Sequence, residues 1–115
     1  MAEGNWQNPF GISVTLPINN TTYISDGSLQ YVKIGRIVVF SATYTMKTDI
    51  ITSVAGTFSG LPKALYESRY LIKDSAEVDD NNFARSALVT QTYLAIKGPH
   101  TQGHTYTTSG AYIAE

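Results

Sequence analysis

The sequence contains no cysteine and few charged residues, and both deficits limit what the chain can do. Without cysteine there is no disulfide, no thiolate nucleophile and no cysteine-ligated zinc site. Charged residues make up 15% of the 115 residues, whereas an average soluble protein has about 25%. The net charge is −1, so no basic field attracts nucleic acid or an anionic membrane, and we expect neither as a partner.

Long hydrophobic runs and helical periodicity are also missing. No stretch approaches the roughly 20 apolar residues that a membrane-spanning helix needs. No segment longer than about eight residues repeats apolar side chains at the helical period with capping residues at its ends. Neutral polar residues take the place of the missing charge, with 14 Thr, 10 Ser and 8 Tyr. This composition is typical of a soluble β domain.

Strand-type alternation runs through most of the chain. The clearest example is residues 29–46, where two alternating runs flank Gly35 and predict a β-hairpin. A second hairpin is predicted over residues 84–97, and residues 106–114 predict a closing strand. About eight short strands separated by turn residues predict an all-β fold, an antiparallel sandwich or barrel.

The domain organisation predicted from these signals is simple. Residues 11–115 form a single β-sandwich domain, and the polar residues 1–10 form an N-terminal attachment segment. Within the domain, Asp26-Gly27 predicts a turn, and residues 75–78 predict a short strand.

Two histidines are the first candidate site residues. His100 and His104 are four residues apart in a loop bounded by Pro99 and Gly103. On a helix this spacing can bind zinc, but proline and glycine argue against a helix here. We therefore interpret the loop as polar and solvated, expect no metal or other cofactor, and count both histidines as candidate ligand contacts.

Two further groups are candidate ligand contacts. Tyr66 and Arg69 follow the break at Leu61-Pro62, in a segment predicted to cross the end of a sheet, where binding residues accumulate. An ordinary surface ion pair of Arg69 with Glu67 or Asp74 is the alternative. A predicted hairpin tip carries four side chains that can exchange hydrogen bonds with sugar hydroxyls: Asp79, Asp80, Asn81 and Asn82.

The aromatic residues divide into predicted core and predicted anchors. Tyr31, Tyr93 and Tyr112 lie inside apolar runs and are predicted to be buried. Trp6 and Phe10 lie outside any strand pattern, and we interpret them as anchors against a neighbouring subunit or element. An exposed stacking surface is the alternative for Trp6.

Three landmarks resemble one known family. Residues 31–38, which read YVKIGRIV, resemble the Y-x-K-x-G-x-x-V hairpin of C-terminal domains in phage tail-fibre, baseplate and head-fibre proteins. Leu61-Pro62 is similar to the L-P break of that family, and residues 110–114 are similar to its G-x-Y-I terminus. The landmarks occur in the family's order and span most of the chain.

The sequence departs from the family pattern at two places. The family often has a second proline shortly after L-P, and residues 64–69 contain none. It also often has a D-G-x turn before the penultimate hairpin strand, whereas residues 87–89 contain no glycine. Both departures concern local loop geometry and leave the expected fold unchanged.

The resemblance implies a host-recognition module. Such domains are antiparallel β-sandwiches or barrels, usually homotrimeric, at the distal tip of a fibre. They bind cell-surface saccharide without catalysis, often in clefts between subunits. The expected partners are two further copies of the chain, a saccharide, and a preceding fibre shaft or virion protein. The expected location is the virion tip, with host cytoplasm during assembly.

Two other functions remain open at the level of sequence. One is a structural trimerisation or virion decoration module that binds no ligand. The other is a polysaccharide-cleaving enzyme, which would need two carboxylates to converge at about 5–10 Å. The nine acidic residues lie mostly in predicted turns and loops, so we expect no enzyme.

Overall fold

The computed structural model describes residues 13–19, 22–51, 53–77 and 84–115, and these ranges contain eight β-strands. Every hydrogen-bonded strand pair is antiparallel. No helix occurs in these ranges, and hence none that could span a membrane. The predicted all-β fold is confirmed. The strands are β1 (Val14–Pro17), β2 (Ile24–Ile34), β3 (Ile37–Met46), β4 (Val54–Ser59), β5 (Ser68–Asp74), β6 (Ser86–Thr90), β7 (Tyr93–Lys97) and β8 (Thr105–Ile113).

The eight strands form a nearly closed barrel that flattens into two sheets. Their order is β1-β2-β3-β8-β5-β6-β7-β4. Strand β5 belongs to both sheets, because residues 68–71 pair with β6 and residues 72–74 pair with β8. The two edge strands approach each other where the Asn19 amide, just after β1, donates to the Thr57 carbonyl oxygen of β4 at 2.9 Å.

The predicted hairpins are both present. Strands β2 and β3 pair in full register up to Ile34 and Ile37, and Gly35 in the turn has a φ of +60°, a conformation that glycine adopts without strain. Strands β6 and β7 form the second hairpin, and β8 is the predicted closing strand. The local turn residues and the alternation of apolar side chains were therefore sufficient to predict these elements.

Two smaller predictions were wrong. Asp26-Gly27 is not a turn, because β2 runs through it with a bulge between Ile24 and Asp26. The strand predicted over residues 75–78 is not formed in its described part, residues 75–77, since Ser75 and Ala76 lie in a turn. The Asp74 carboxylate accepts the Ala76 amide at 2.9 Å, which stabilises this turn.

Alternating side chains of both sheets fill the core. Tyr44 and Tyr106 are stacked at its centre with ring centroids 5.7 Å apart. Tyr112 is buried as predicted, and Tyr31 packs against the core while partly exposed. Tyr93 was predicted to be buried, but Leu94 and Ile96 are the inward residues of β7, so Tyr93 points outward.

One close approach requires glycine. The ring of Tyr70 lies over Gly110, where a Cβ atom would collide with the ring carbons. The same ring packs edge-on against Phe40 at 4.9 Å, and its hydroxyl donates to the Ala111 carbonyl oxygen at 2.8 Å. This contact joins β5 to β3 and β8 near the junction of the two sheets.

Candidate ligand-binding cleft

A cleft of about 250 Å³ lies on the outer face of the sheet formed by β4, β7, β6 and β5. We call it the outer cleft. Its lining combines an aromatic ring, small apolar side chains and three hydrogen-bonding groups: Val54, Arg69, Ser86, Leu88, Tyr93, Ala95 and Lys97.

Strand alternation produces this lining. Because Ala87 and Val89 of β6 point into the core, Leu88 between them points outward. Leu88 is paired with Ala95 of β7 on one side and with Arg69 of β5 on the other. The three residues therefore form one row across the sheet, with two half-buried apolar side chains as the floor and an exposed guanidinium at the edge.

A second, more open depression adjoins the outer cleft. It has a volume of about 310 Å³ and is lined by Arg69, Tyr70, Leu71, Arg85 and Ser86. Arg69 and Ser86 belong to both depressions, so the concave surface is continuous across β5 and β6. A ligand longer than one ring therefore has a path beyond the outer cleft.

Tyr66 and Arg69 are not brought together as expected. Tyr66 is 74% exposed and lines a separate depression with Glu67, Tyr70 and residues of β8. The ion pair considered for Arg69 is absent from the described part of the chain. Glu67 instead accepts a hydrogen bond from the Thr90 hydroxyl at 3.4 Å, and Asp74 binds a histidine.

His100 lies in the core and not in a solvated loop. It is 3% exposed, because its backbone forms an antiparallel bridge with Ile50 that draws the loop inward. Nδ1 donates to the Gly98 carbonyl oxygen at 2.8 Å, so Nε2 accepts from the Tyr44 hydroxyl at 2.7 Å. Both ring nitrogens are therefore occupied within the protein.

Burial and a neighbouring cation keep His100 neutral. Burial is the main cause that lowers its pKa to about 4, and the guanidinium of Arg85 acts in the same direction. The hydrogen bond to Gly98 opposes this shift but does not cancel it. Burial also raises the pKa of Tyr44 far above its ordinary value.

His104 lies beside the Tyr106 ring, as His100 does, and has an acidic partner. Its Nδ1 lies 2.7 Å from Oδ2 of Asp74, and a third of its side chain is exposed. Asp74 is buried, contrary to the expectation of solvated acids. Burial opposes its ionisation, but hydrogen bonds from His104 and the Ala76 amide hold its pKa below the ordinary value.

The remaining predicted site residues lie outside the described residues. These are the candidate anchors Trp6 and Phe10, and the polar run Asp79, Asp80, Asn81 and Asn82. The roles predicted for them stay predictions.

Of the residues that line the outer cleft, sequence reasoning identified only Arg69, and the most informative omissions are Tyr93 and Lys97. The phase of β7 contains the signal that identifies them. Leu94 and Ile96 are the most apolar alternating pair of the strand and belong inside, which places Tyr93 and Lys97 outside. No pattern within a single strand predicts that β5 places Arg69 on the same surface.

A second surface is apolar and flat. On the outer face of β2, β3 and β8, two cross-strand rows carry aliphatic side chains only. We call this surface the aliphatic face, and it comprises Val32, Ile34, Ile37, Val39, Ala111 and Ile113. Four of these side chains, Ile34, Ile37, Val39 and Ile113, are between 41% and 51% exposed. The next row on the same strands is uncharged as well: Gln30, Ser41 and Ser109.

Within the described ranges, no three His, Asp or Glu side chains are grouped so that they could hold a metal ion. Comparison of the chain with protein-family models, with curated proteins and with solved structures gives no match.

Proposed function

We propose that this chain is a non-catalytic saccharide-binding module at the tip of a phage fibre, where it attaches the virion to a host cell as a homotrimer. The outer cleft is the observation that carries the proposal. It places the Tyr93 ring and an apolar floor beside three groups that donate hydrogen bonds: Arg69, Ser86 and Lys97.

This combination matches the two kinds of surface on a sugar. One face of a pyranose ring presents C–H groups, which pack on an aromatic side chain or on small aliphatic side chains. The ring edge presents hydroxyls, which need donors and acceptors at fixed positions. A volume of about 250 Å³ lies just below the range of pockets for drug-sized ligands and suits about one sugar ring.

The aliphatic face supports the homo-oligomeric part of the proposal. A flat apolar patch on a protein surface marks an interaction site. A second copy is the occupant we propose, because identical copies meet across this face without like-charge repulsion, and because the chain as a whole carries so little charge. The number three comes from the resemblance to phage fibre domains.

A glycan array tests the saccharide-binding function. The purified chain, labelled at a low ratio, is applied to arrayed bacterial surface polysaccharides that include neutral, uronic-acid-bearing and phosphate-bearing members. We expect selective binding to a subset of these glycans. Tyr93→Ala and Leu88→Asp should abolish it, whereas Tyr66→Ala, on the separate depression, should not. Absence of binding to every glycan would overturn the proposal.

Sedimentation tests the oligomer. Ile37→Lys places a charge at the centre of the aliphatic face and should dissociate a trimer into monomers. Ile51→Lys is the matched control, because Ile51 is an exposed isoleucine outside that face. A wild-type chain that sediments as a monomer at micromolar concentration would contradict the homotrimer.

A structural trimerisation or decoration module is the second candidate function, and the aliphatic face favours it specifically. That function needs the oligomer and no ligand. It would replace the first proposal if the wild-type trimer dissociates on Ile37→Lys but binds no glycan in any arm of the array.

A further inference from the structure

The outer cleft holds two cations that no acid of the described chain neutralises. Neither Arg69 nor Lys97 forms an ion pair in the described residues. The two acids nearest to Arg69 in sequence bind other groups, Glu67 the Thr90 hydroxyl and Asp74 the His104 ring. Two of the eight Lys and Arg residues thus face one cleft without an acidic partner among the described residues.

The strand register fixes how these cations are arranged. Arg69 on β5 lies opposite Leu88, and Lys97 on β7 lies opposite Ser86, the next outward residue of β6. With strands about 4.8 Å apart and outward residues about 7 Å apart along a strand, the two backbones are about 12 Å from each other. Long side chains from both sides can therefore reach one ligand seated over β6.

The outer cleft differs in charge from the aliphatic face. The aliphatic face and the row beside it contain no charged side chain. Glu67 lies next to Thr90, beyond the end of the outer cleft that Tyr93 forms. The outer cleft therefore presents two cations to a ligand that enters it.

From these observations we infer that the outer cleft recognises an acidic saccharide, one whose ring or side group bears a carboxylate or a phosphate. Arg69 binds the anionic oxygens through its planar fork of donors, and Lys97 contributes a point charge from the opposite side. Ser86 binds a hydroxyl, and Tyr93 and Leu88 pack against the C–H face of the ring. This inference rests on the proposed saccharide-binding function and names the class of its ligand.

The array separates the two sources of negative charge. We expect bound glycans to fall in the uronic-acid-bearing or the phosphate-bearing arm, and the neutral arm to remain empty. Methyl esterification of a bound uronate, or enzymatic dephosphorylation of a bound phosphoglycan, should weaken binding at least tenfold. Raising NaCl from 50 to 500 mM should weaken it as well, because the cleft is open to solvent.

Variants that remove one charge test whether the acidic glycan binds at the outer cleft. Arg69→Gln and Lys97→Gln should each lower affinity for the acidic glycan at least tenfold while the fold and the oligomer are unchanged. Lys73→Gln is the control, because Lys73 is an exposed lysine of β5 that pairs with β8 and lies outside the cleft. It should bind like wild type.

The possible failures are distinguishable. Binding to neutral glycans that Arg69→Gln and Lys97→Gln leave intact would overturn the acidic-ligand inference and leave the saccharide-binding function standing. Equal weakening by Lys73→Gln would also overturn it, since attraction would then reflect net charge alone. Failure to bind any glycan would overturn both.

Discussion

Acid should destabilise this fold through His100, the imidazole buried beside Tyr44 and Tyr106. Its ring lies 4.6 Å from the Tyr106 ring, and its Nδ1 hydrogen is donated to the Gly98 carbonyl oxygen. This arrangement fits the neutral imidazole, whose Nε2 accepts from Tyr44. A second proton would bring a positive charge into the core close to the buried guanidinium of Arg85.

The sign of the effect follows from the lowered pKa. An unfolded chain binds a proton at the ordinary histidine pKa of 6.5, whereas folded His100 does so only at about 4. Between these values the unfolded state holds more protons, so the free energy of unfolding falls as the pH falls. Each pKa unit of this difference changes the free energy of unfolding by about 1.4 kcal/mol, so the full difference corresponds to about 3 kcal/mol.

Most of this loss precedes the titration of Asp74. By pH 4.5 the expected loss is already about 2 kcal/mol relative to pH 7. Asp74 contributes a change of the same sign, since its pKa is lowered too, but it does so as the pH falls through and below 3.8. In the window from pH 6.5 to 4.5, the contribution of His100 is therefore separated from that of Asp74.

Urea unfolding followed by far-ultraviolet circular dichroism measures the effect at fixed protein concentration. His100→Gln supplies the comparison, because glutamine does not titrate and can still exchange hydrogen bonds with Tyr44. We expect the variant to be less stable at pH 7 and to lose less than about 1 kcal/mol on acidification to pH 4.5. Equal losses in the wild type and the variant would refute the assignment to His100.

Three further predictions concern the stability of the core and are checked by the same urea titration at pH 7. Tyr44→Phe should cost about 1–3 kcal/mol, because it leaves a buried imidazole nitrogen without its donor. Gly110→Ala should cost a similar 1–3 kcal/mol through its collision with the Tyr70 ring, and adding Tyr70→Ala should recover part of the loss that the collision causes. Phe58→Ala should cost about 3–5 kcal/mol by opening a cavity, whereas Tyr66→Ala at an exposed site should stay within about 0.5 kcal/mol.

The elements predicted well from sequence are those whose signals are local. Gly35 between two alternating runs specifies the β2–β3 hairpin, since both the turn and the phase of the strands are contained in adjacent residues. Asp26-Gly27 shows where a local turn signal fails, because no turn forms there. Strand β2 continues through it with a bulge between Ile24 and Asp26, and Gly27 is paired with Tyr44, where a Cβ atom would be only 2.9 Å from that of the tyrosine.

The site was predicted poorly because it depends on contacts between distant residues. His100 reads as a loop residue from its neighbours, and it is buried because Ile50, half the chain away, pairs with it. The local sequence predicts Arg69 in a segment that crosses the end of a sheet, whereas it lies in β5 and lines the outer cleft with Lys97 on the other side of β6. Predicting the site requires the order of the strands in the sheet, and neither the composition nor the hydrophobic periodicity of the sequence contains that order.

The positions of the two surfaces constrain how the proposed trimer would present its ligand sites. The aliphatic face lies on the outer side of the β2–β3–β8 sheet, and the outer cleft lies on the outer side of the other sheet. Outer faces of two packed sheets point in opposite directions. If the aliphatic faces meet at the trimer axis, the three clefts point away from it. Each cleft is then complete within one subunit, which differs from the inter-subunit clefts that the resemblance implies. Separate sites on a rigid trimer can engage neighbouring sugars on one cell surface at once, so weak single-site binding is sufficient for attachment.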